Sequence, residues 1–442
     1  MIYAAQQTGD TEAVIAVSDV APGRPPTTLY PQGSLPSNLV NTVGFSYSSD
    51  CLALGDPFTV TIPNPRGYYT DKFLRGQTVQ LYLRNPNVLG NQPTLKHLGI
   101  ITRRRQSVST AGSALTLTSN DLGWHLANND APLWYVLDNA KLIHLLQDRR
   151  WIDPSWGIQG IRISNAVNRQ LKQNVNNGRA QAALDLQALG TLVHIQVEVG
   201  DKVADHLTNY CRKINRLLSV SCDGYLQVWL PDYDREPPFS IDLHDLSDPA
   251  RNKNGVLDCF IEEDISTIYT NVTCVGEMVD GDLTLDPADQ NATKRRGDLV
   301  NNFSLPFTHR MGFADGDIFT KTDARSQALW AYNKGIFDSW QAVYVVRGHY
   351  QRNAQAQRAW WWEADQMVAV NDSVNGLFGN FWCSAVRCDR DDNGDRTYVT
   401  LRRPCLQASF GQYKRPPRIT GSPIATSGSS QTTENKTTVT GK

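Results

Sequence analysis

The chain has 442 residues, which exceeds a single typical core, so two to four domains are expected. Its 43 basic and 44 acidic residues nearly cancel, which argues against a protein whose main task is to grip phosphate backbones. No apolar run reaches the roughly 18 residues needed to span a membrane, and MIYAAQQTGD lacks the basic and then apolar pattern of a signal peptide. Neither stable membrane insertion nor signal-peptide export is therefore expected.

The two ends of the chain differ in composition from its middle. Prolines recur through residues 1–38 and apolar runs are few, which predicts an extended N-terminal arm instead of a domain. Residues 406–442 lead into a stretch rich in Ser, Thr and Gly without apolar periodicity, which predicts an extended C-terminal tail. Segments of this kind become ordered when a partner covers them.

Residues 39–122 have the pattern of a β-domain. Short apolar runs alternate with polar residues, and Pro-Asn-Pro-Arg-Gly and Asn-Pro-Asn supply turns. Five strands are predicted, at 43–47, 58–62, 78–83, 97–102 and 114–118.

Three consecutive arginines, Arg103, Arg104 and Arg105, fall between the last two predicted strands. A loop that faces DNA and a solvated hairpin tip are both compatible with this position. The sequence leaves the choice open.

Residues 123–190 predict a helical linker or insertion. Asp138 is a suitable cap for a helix that runs to Arg149, with leucines along one face. Residues 158–190 are rich in Asn, Gln and Arg and are interpreted as an insertion.

Residues 191–249 predict a small α/β domain. A strand at 194–199 is followed by Gly-Asp and a helix whose buried face would hold Val203, Leu207, Tyr210, Ile214 and Leu217. The next two runs, 218–222 and 225–230, flank Asp-Gly and predict a hairpin with a type I′ turn.

Residues 250–405 predict a second β-domain with one helix at 322–340. The run NGVLDCFIEEDISTIYTNVTCVGEM is interpreted as the strand pair that opens it, with a strand through 272–276, and 280–298 as a protruding loop. Four further strand segments are predicted, and Asn-Gly marks a hairpin between the last two. These segments are 343–350, 366–370, 377–388 and 397–402.

Carboxylates suggest two kinds of chemistry, and both interpretations are weak. Asp389, Asp391, Asn393 and Gly394 match the first half of a calcium loop, but Thr400 stands where a bidentate Glu is needed, so a hairpin turn is favoured. The run Glu262-Glu263-Asp264 lies on a predicted strand, whose successive side chains face opposite ways and do not converge on one bond.

Tryptophans and terminal arginines suggest ligand binding. Trp360, Trp361 and Trp362 invite a base- or sugar-stacking interpretation, but alternation on a strand places at least one of them in the core. The pairs Arg402-Arg403 and Arg415 with Arg418 suit nucleic acid, which the balanced charge does not support.

No recognised catalytic or metal-binding spacing occurs among the histidines, serines or glycine-rich stretches. The eight cysteines form no Cys-x-x-Cys pair and are expected to be buried free thiols. They are Cys51, Cys211, Cys222, Cys259, Cys274, Cys383, Cys388 and Cys405. We therefore expect no enzymatic activity, no catalytic, cofactor-binding or metal-binding residues, and no cofactor.

The order of several segments resembles a known family. A helix, a V-Y-V-V-R-G strand, a W-W-containing strand, a D-D-N-G-D hairpin and T-Y-V-T-L-R-R-P follow one another. Upstream, L-G-I-I-T precedes L-T-L-T-S-N-D-L, and the strand, Gly-Asp, helix and hairpin unit follows. In this order they resemble the bacteriophage baseplate hub proteins, the late-control-protein-D-like family of contractile tails, over about two-thirds of the chain.

The resemblance implies a mainly β fold with α+β parts: two similar antiparallel β-barrels that form tail-tube-like domains, plus a small α/β domain. It implies a structural virion protein of the tail baseplate, made in the host cytoplasm. Three copies would form a ring that adapts the sixfold tail tube to the threefold spike. The channel would pass tape measure protein and then DNA, and wedge proteins would be neighbours. A related injection device (tailocin or secretion system) and a glycan-binding tail adhesin remain as alternatives.

Overall fold

A computed structural model describes most of the chain. The described residues are 11–18, 40–85, 93–110, 112–132, 136–164, 192–213, 216–244, 255–276, 300–301, 307–315, 321–353, 358–392 and 394–406.

The first barrel contains all five strands that the sequence predicts for residues 39–122, and each is longer than predicted. Its strands are β1 (Glu12–Ser18), β2 (Val40–Asn41), β3 (Gly44–Asp50), β4 (Pro57–Pro63), β5 (Thr78–Arg84), β6 (Thr94–Ser109) and β7 (Gly112–Asp121). They pair in the order β3-β4-β7-β6-β5-β1-β2, and all these pairings are antiparallel. Because β2 immediately precedes β3 in the chain, this order brings the sheet back on itself.

Strand β1 corrects the prediction that residues 1–38 are an extended arm. It pairs with β5 along its full length, from Glu12 opposite Arg84 to Ser18 opposite Thr78. Its central residue, Ile15, is fully buried. The prolines begin only at Pro22, so the apolar run that forms β1 lies before them and is free to pair as a strand. Residues 19–39 lie outside the described residues.

The α/β domain draws on more of the chain than predicted. Its elements are α1 (Gly123–Asn128), β8 (Val136–Lys141), α2 (Leu142–Gln147), β9 (Ile161–Ser164), β10 (Leu192–Gln196), α3 (Val203–Lys213), β11 (Leu217–Val220) and β12 (Leu226–Trp229). Strand β8 pairs with β10, and the hairpin β11-β12 pairs with β9. Trp151, Leu207 and Leu226 belong to a shared core.

Three local predictions in this domain are wrong. Asp138 lies in β8, so the helix predicted for 138–149 is confined to α2; strand pairing with a partner some fifty residues downstream overrides local helix propensity. Helix α3 ends at Lys213, and Leu217 begins β11. Only Gly224 of the predicted type I′ turn has a positive φ, +84°, whereas that turn needs two. Most of the insertion predicted at 158–190 lies outside the described residues.

The rest of the chain contributes the second barrel, a small sheet and a long helix. The elements are β13 (Phe239–Leu243), β14 (Val256–Glu263), β15 (Asn271–Gly276), β16 (Val300–Asn301), β17 (Arg310–Asp315), α4 (Lys321–Asp338), β18 (Trp340–Arg347), β19 (Tyr350–Asn353), β20 (Arg358–Trp361), β21 (Gln366–Asp372), β22 (Leu377–Asp391) and β23 (Gly394–Arg402). The second barrel pairs in the order β14-β18-β23-β22-β21-β13, and only the β13–β21 pairing is parallel.

The predicted strand at 272–276 is real, but it does not open the second barrel. As β15 it pairs with β16 and β17, and its Val272 and Cys274 share a core with Ala328 and Tyr332 of α4. No strand is predicted at Phe239–Leu243, a part of the chain assigned to the α/β domain, yet it forms β13 and joins the second barrel. The predicted helix and the Asn-Gly hairpin are confirmed by α4 and by β22-β23. The predicted loop at 280–298 lies outside the described residues.

The two barrels repeat one plan. The order β3-β4-β7-β6-β5-β1 matches β14-β18-β23-β22-β21-β13 along the chain, and the two barrels differ only in the last strand, since β1 runs antiparallel to β5 whereas β13 runs parallel to β21. Both central hairpins have a register shift at the same place, between Ile101 and Arg103 in β6 and between Cys383 and Ala385 in β22. The chain therefore contains two versions of the same barrel.

A left-handed residue occupies the same place in both barrels. Gly76, at φ +86°, donates its amide to the carbonyl oxygen of Ile101 at 2.9 Å. Asp365, at φ +59°, donates to the carbonyl of Cys383 at 2.8 Å, and its carboxylate accepts the indole N–H of buried Trp382 at 3.1 Å. The side-chain hydrogen bond offsets the backbone strain that a non-glycine residue has at positive φ.

We predict that Gly76→Ala lowers the free energy of unfolding by about 1–2 kcal/mol, because a Cβ disfavours this backbone conformation. No atom lies within 4 Å of the position that the added Cβ would take, so steric contact does not contribute. Urea unfolding measures the change. Gly312→Ala is the matched control, since its Cβ position is equally open and its φ is not positive. Equal stabilities of the two variants would contradict the prediction.

Candidate assembly surfaces

Strand pairing between β3 and β22 joins the two barrels into one continuous sheet. Six residues pair antiparallel, from Phe45 opposite Arg390 to Asp50 opposite Ala385. The hydroxyl of Ser46 donates to Asp389 Oδ1 at 2.7 Å, and the amide of Cys51 donates to the carbonyl of Ser384 at 2.9 Å. The barrels are thus connected through hydrogen-bonded backbone as well as through side chains.

Arg390 reinforces this junction from β22. Its Nε and Nη2 donate to the two carboxylate oxygens of Asp395 at 2.6 and 2.7 Å, and Nη2 also donates to the carbonyl of Thr11. The guanidinium lies 5.7 Å from the ring centroid of Phe45 on β3. Burial alone would raise the pKa of Asp395, but hydrogen bonds from Arg390 and His349 outweigh it and hold that pKa well below its ordinary value. Arg390 therefore links an anion of the second barrel to backbone of the first.

Strand β14, the counterpart of β3, has an uncovered edge. It pairs with β18 on one side, and no other described strand pairs with it. Phe260 is 56% exposed, and Leu257, Ile261 and nearby Ile265 are also exposed. By contrast, the residues of β3 are buried or half-buried where β22 covers them.

The acidic run Glu262-Glu263-Asp264 lies at the end of β14. Glu262 accepts a hydrogen bond from the side-chain amide of Gln341. The Oε1 atom of Glu263 lies 3.9 Å from Nη2 of Arg403. Asp264 accepts the amide and hydroxyl of Ser266, which lowers its pKa and caps a short 3₁₀ turn. The run is exposed and does not converge on a reactive centre, as the alternation of a strand predicts.

The three arginines lie within a strand, which corrects both interpretations of Arg103–Arg105 as a loop or a hairpin tip. Strand β6 continues to Ser109 and pairs with β7 through this region. Arg104 donates to the carbonyls of Thr70 and Phe73 at 2.6 and 2.9 Å. The side chains of Arg103 and Arg105 are exposed and make no hydrogen bond or ion pair with any described residue.

Two carboxyl groups that sequence reasoning did not bring together, half-buried Asp56 and buried Asp121, lie where the first barrel meets the α/β domain. Asp56 accepts the amide of Asp50 at 3.1 Å, and Asp121 accepts the amide of Gly123 at 2.8 Å. Burial raises the pKa of both groups, and the charge of Asp121 raises that of Asp56 further. Backbone hydrogen bonds partly offset the shift at Asp121. The pair lines a cavity of about 310 Å³. Its members are 65 residues apart in sequence, so no spacing signal reveals them.

The tryptophan run is mostly core. Trp361 is 6% exposed, and its indole N–H donates to Thr94 at 3.2 Å. Trp362 is buried and stacks on Phe239, with ring centroids 4.4 Å apart. Only Trp360, at 39% exposure, presents an indole to solvent. The three rings do not form a common stacking platform.

The residues that match a calcium loop belong to the β22-β23 hairpin. Asp389 accepts from Ser46 and Arg387, and Asp391 pairs with Arg396. Asn393 lies outside the described residues. Within the described parts of the chain, no cluster of three or more His, Cys, Asp or Glu residues is placed to hold a metal ion.

The remaining candidates from the sequence are arginines and cysteines. Those that lie among the described residues have structural roles. Arg402 donates to the carbonyls of Phe337, Asp338 and Trp340 at 3.1–3.3 Å. Arg415 and Arg418 lie outside the described residues. All eight cysteines are free thiols, and six of them are buried as predicted, but Cys259 is half-buried and Cys222 is exposed. Of the helices that the structure describes, none is long and apolar enough to cross a bilayer.

Two similar barrels that share one sheet, with a small α/β domain beside them, define a mainly β fold class. No protein-family model matches the chain, and no curated protein matches it in sequence. Solved structures do. A tail protein from Neisseria meningitidis MC58 is 15% identical with a TM-score of 0.64, and the match covers 92% of this chain and 100% of that one.

A second solved structure agrees. The 43 kDa tail protein of prophage MuSo2 from Shewanella oneidensis is 15% identical with a TM-score of 0.60, covering 90% of this chain and 99% of that one. An E. coli component of the type VI secretion system is 7% identical with a TM-score of 0.44, and the match covers 89% of this chain and 80% of that one. At these identities the likeness establishes the fold: the chain has the fold of phage tail proteins.

We predict that Arg390→Ala lowers the free energy of unfolding by about 3 kcal/mol, because Asp395 then loses its guanidinium partner in a buried site. Arg387→Ala is the control: Arg387 also pairs with an aspartate but is 48% exposed, so its loss should cost less than about 1 kcal/mol. Chemical denaturation of both variants measures the difference. Equal losses would show that Arg390 does not reinforce the junction.

We predict that the protein loses stability as pH rises from 5 to 8.5, in part through Asp56. A carboxyl group with a raised pKa binds more protons in the folded state than in the unfolded state. The contribution of this group to the free energy of unfolding is therefore present when the pH is below its ordinary pKa of 3.8. It is lost as the pH rises through the folded-state pKa. Asp56→Asn should reduce this loss, measured as the change in melting temperature across the range.

Asp71→Asn is the control for this measurement, because Asp71 is exposed. It should leave the pH dependence as it is in the unaltered protein. An Asp56→Asn variant with the same pH dependence as the unaltered protein would contradict the prediction.

Proposed function

We propose that the chain is the baseplate hub of a contractile phage tail, a structural component of the virion. Three copies form a ring that adapts the sixfold tail tube to the threefold spike. The repeated barrel is the observation that carries this proposal. Three chains, each with two similar barrels, present six similar barrels on one side of the ring. The parts of the chain that are not repeated keep threefold symmetry.

The fold that this chain shares with two tail proteins supports a place in a phage tail. The ring would contact the tail tube or a tube-initiator protein on its sixfold side and the spike on its threefold side. Tape measure protein and then DNA would pass through its centre, and wedge or other baseplate proteins would surround it. The protein would be made in the host cytoplasm and act in the virion baseplate.

The proposed mechanism uses binding surfaces in place of chemistry, with no cofactor. The clustered polar side chains of the fold support this, because they form hydrogen bonds with backbone groups and connect the domains. Asp121 accepts the amide of Gly123, Arg402 binds three carbonyls, and Arg390 links the barrels. Obligate interfaces of this kind usually bury more than about 2,000 Å².

A hub or spike component of a tailocin or a secretion system is the alternative, because such a device would use the same ring. A glycan-binding adhesin has less support, since Trp361 and Trp362 are buried. Purified phage particles distinguish the first alternative: antibody labelling should place the chain at the baseplate.

The experiment that tests the proposal is light scattering of the purified chain, alone and with its candidate spike. We predict a mass near three times 49.3 kDa, either directly or on addition of the spike. The trimer should be stable to dilution, because obligate interfaces dissociate slowly. A monomer that ignores both spike and tube proteins would overturn the hub assignment.

A further inference from the structure

Strands β22 and β3 cover each other's edges within one chain. The strands that hold the same positions in the other barrel have no strand partner at those edges in the described structure. Strand β22 lies against β3 through residues 385–390, and both strands are largely protected there. Their counterparts are β6 and β14. Residues 103–109 of β6 pair only with β7 in the described structure, because β5 reaches no further than Ile100. Strand β14 likewise pairs only with β18. Each chain thus has one open edge of each kind.

The repeat gives the register in which these edges would meet. Across the first barrel, Ile101, Ser119, Phe58 and Tyr47 lie opposite one another on successive strands. The equivalent row in the second barrel is Cys383, Leu401, Ala342 and Ile261, and both rows lie directly before the register shift. Tyr47 therefore corresponds to Ile261.

The covered junction can be transferred with this correspondence. There, Cys388 lies opposite Tyr47. In β22, Cys388 is the fourth paired residue after the register shift that follows Cys383. In β6, Gln106 is the fourth paired residue after the shift that follows Ile101, so Gln106 corresponds to Cys388. Gln106 would therefore lie opposite Ile261, and antiparallel pairing places Arg105 opposite Glu262, Arg104 opposite Glu263 and Arg103 opposite Asp264.

The charges of the two open edges are complementary in this register. Arg103 and Arg105 project from one face of β6, and Glu262 and Asp264 from one face of β14, since residues two apart share a face. Opposite charges that lie directly across a strand pair attract, and like charges destabilise it. In the same register Ser107 would lie opposite Phe260, whose exposed ring would be covered.

From these observations we infer that residues 103–108 of β6 pair antiparallel with residues 259–264 of β14 in a second copy of this chain. The contact repeats between chains the junction that β22 and β3 make within one chain. It is heterologous, with different surfaces on the two copies, and the threefold rotation of the proposed trimer closes successive copies into a ring instead of an open filament. This inference rests on the proposed function for the number of copies, and it also accounts for an exposed apolar edge strand that would otherwise invite aggregation.

A charge swap in the full chain tests the contact. Arg105→Glu and Glu262→Arg, each alone, should shift the assembly to single chains at micromolar concentration, weakening association at least about tenfold. The double variant carries both changes in every copy and restores opposite charges, so it should recover the mass of the unaltered ring. Arg149→Glu, at an exposed position in the α/β domain, is the control and should leave the mass unchanged.

Disulfide cross-linking tests the register. The double variant Ser107→Cys with Phe260→Cys should form a covalent ladder of chains on mild oxidation, seen on a non-reducing gel. Ser107→Cys with Glu262→Cys, a diagonal pair about 7–8 Å apart in this register, should not.

The outcomes separate the inference from the proposed function. A trimer that survives both single charge reversals, with no Ser107–Phe260 cross-link, would overturn this contact and leave the hub assignment standing. A protein that stays a single chain at every concentration, without spike-induced assembly and without the cross-link, would overturn both.

Discussion

Backbone pairing between β3 and β22 is the interaction on which this structure depends. It converts two barrels, each with its own strands, into one continuous sheet of thirteen strands. A strand edge exposes unpaired N–H and C=O groups, and the junction satisfies them on both barrels at once. Arg390 then ties Asp395 to the Thr11 carbonyl and so involves the N-terminal strand. A hinge at this point would break several hydrogen bonds together, so the barrels are held in a fixed relation.

The repeat explains why the two barrels differ where they do. Most core positions in the cross-strand rows keep apolar character, such as Phe58 and Ala342, because both barrels fill the same kind of interior, although buried Ser119 corresponds to Leu401. The edges diverge. Strand β3 carries Ser46, Tyr47 and Ser48 against its partner, whereas β14 carries Phe260, Ile261 and Glu262. A small polar surface suits a junction already formed within the chain, and a charged and apolar one suits recognition between molecules.

The α/β domain and helix α4 support the barrels from outside the repeated part. Trp229 of β12 lies in one core with Trp382 of β22 and Phe337 of α4, which connects all three regions. The carboxyl groups of half-buried Asp56 and buried Asp121 lie at the first barrel's contact with α1, where their oxygens accept hydrogen bonds from backbone amides. Such groups lower stability when charged, but they orient the chain as it leaves the barrel.

The sequence by itself determined the mainly β class, most strands of both barrels, helix α4 and the β22-β23 hairpin. These depend on local alternation, on turn residues and on helical periodicity, all of which act over a few residues. Tertiary structure decided the place of β1 and β13, the separate sheet of β15, and the pairing of β8 with β10. Each depends on a partner far away in sequence, and an apolar run carries no mark of which edge it will join. The same holds for the candidate surface: Arg103–Arg105 and Glu262–Asp264 were visible as charge runs, but only the repeated strand order brings them into one register.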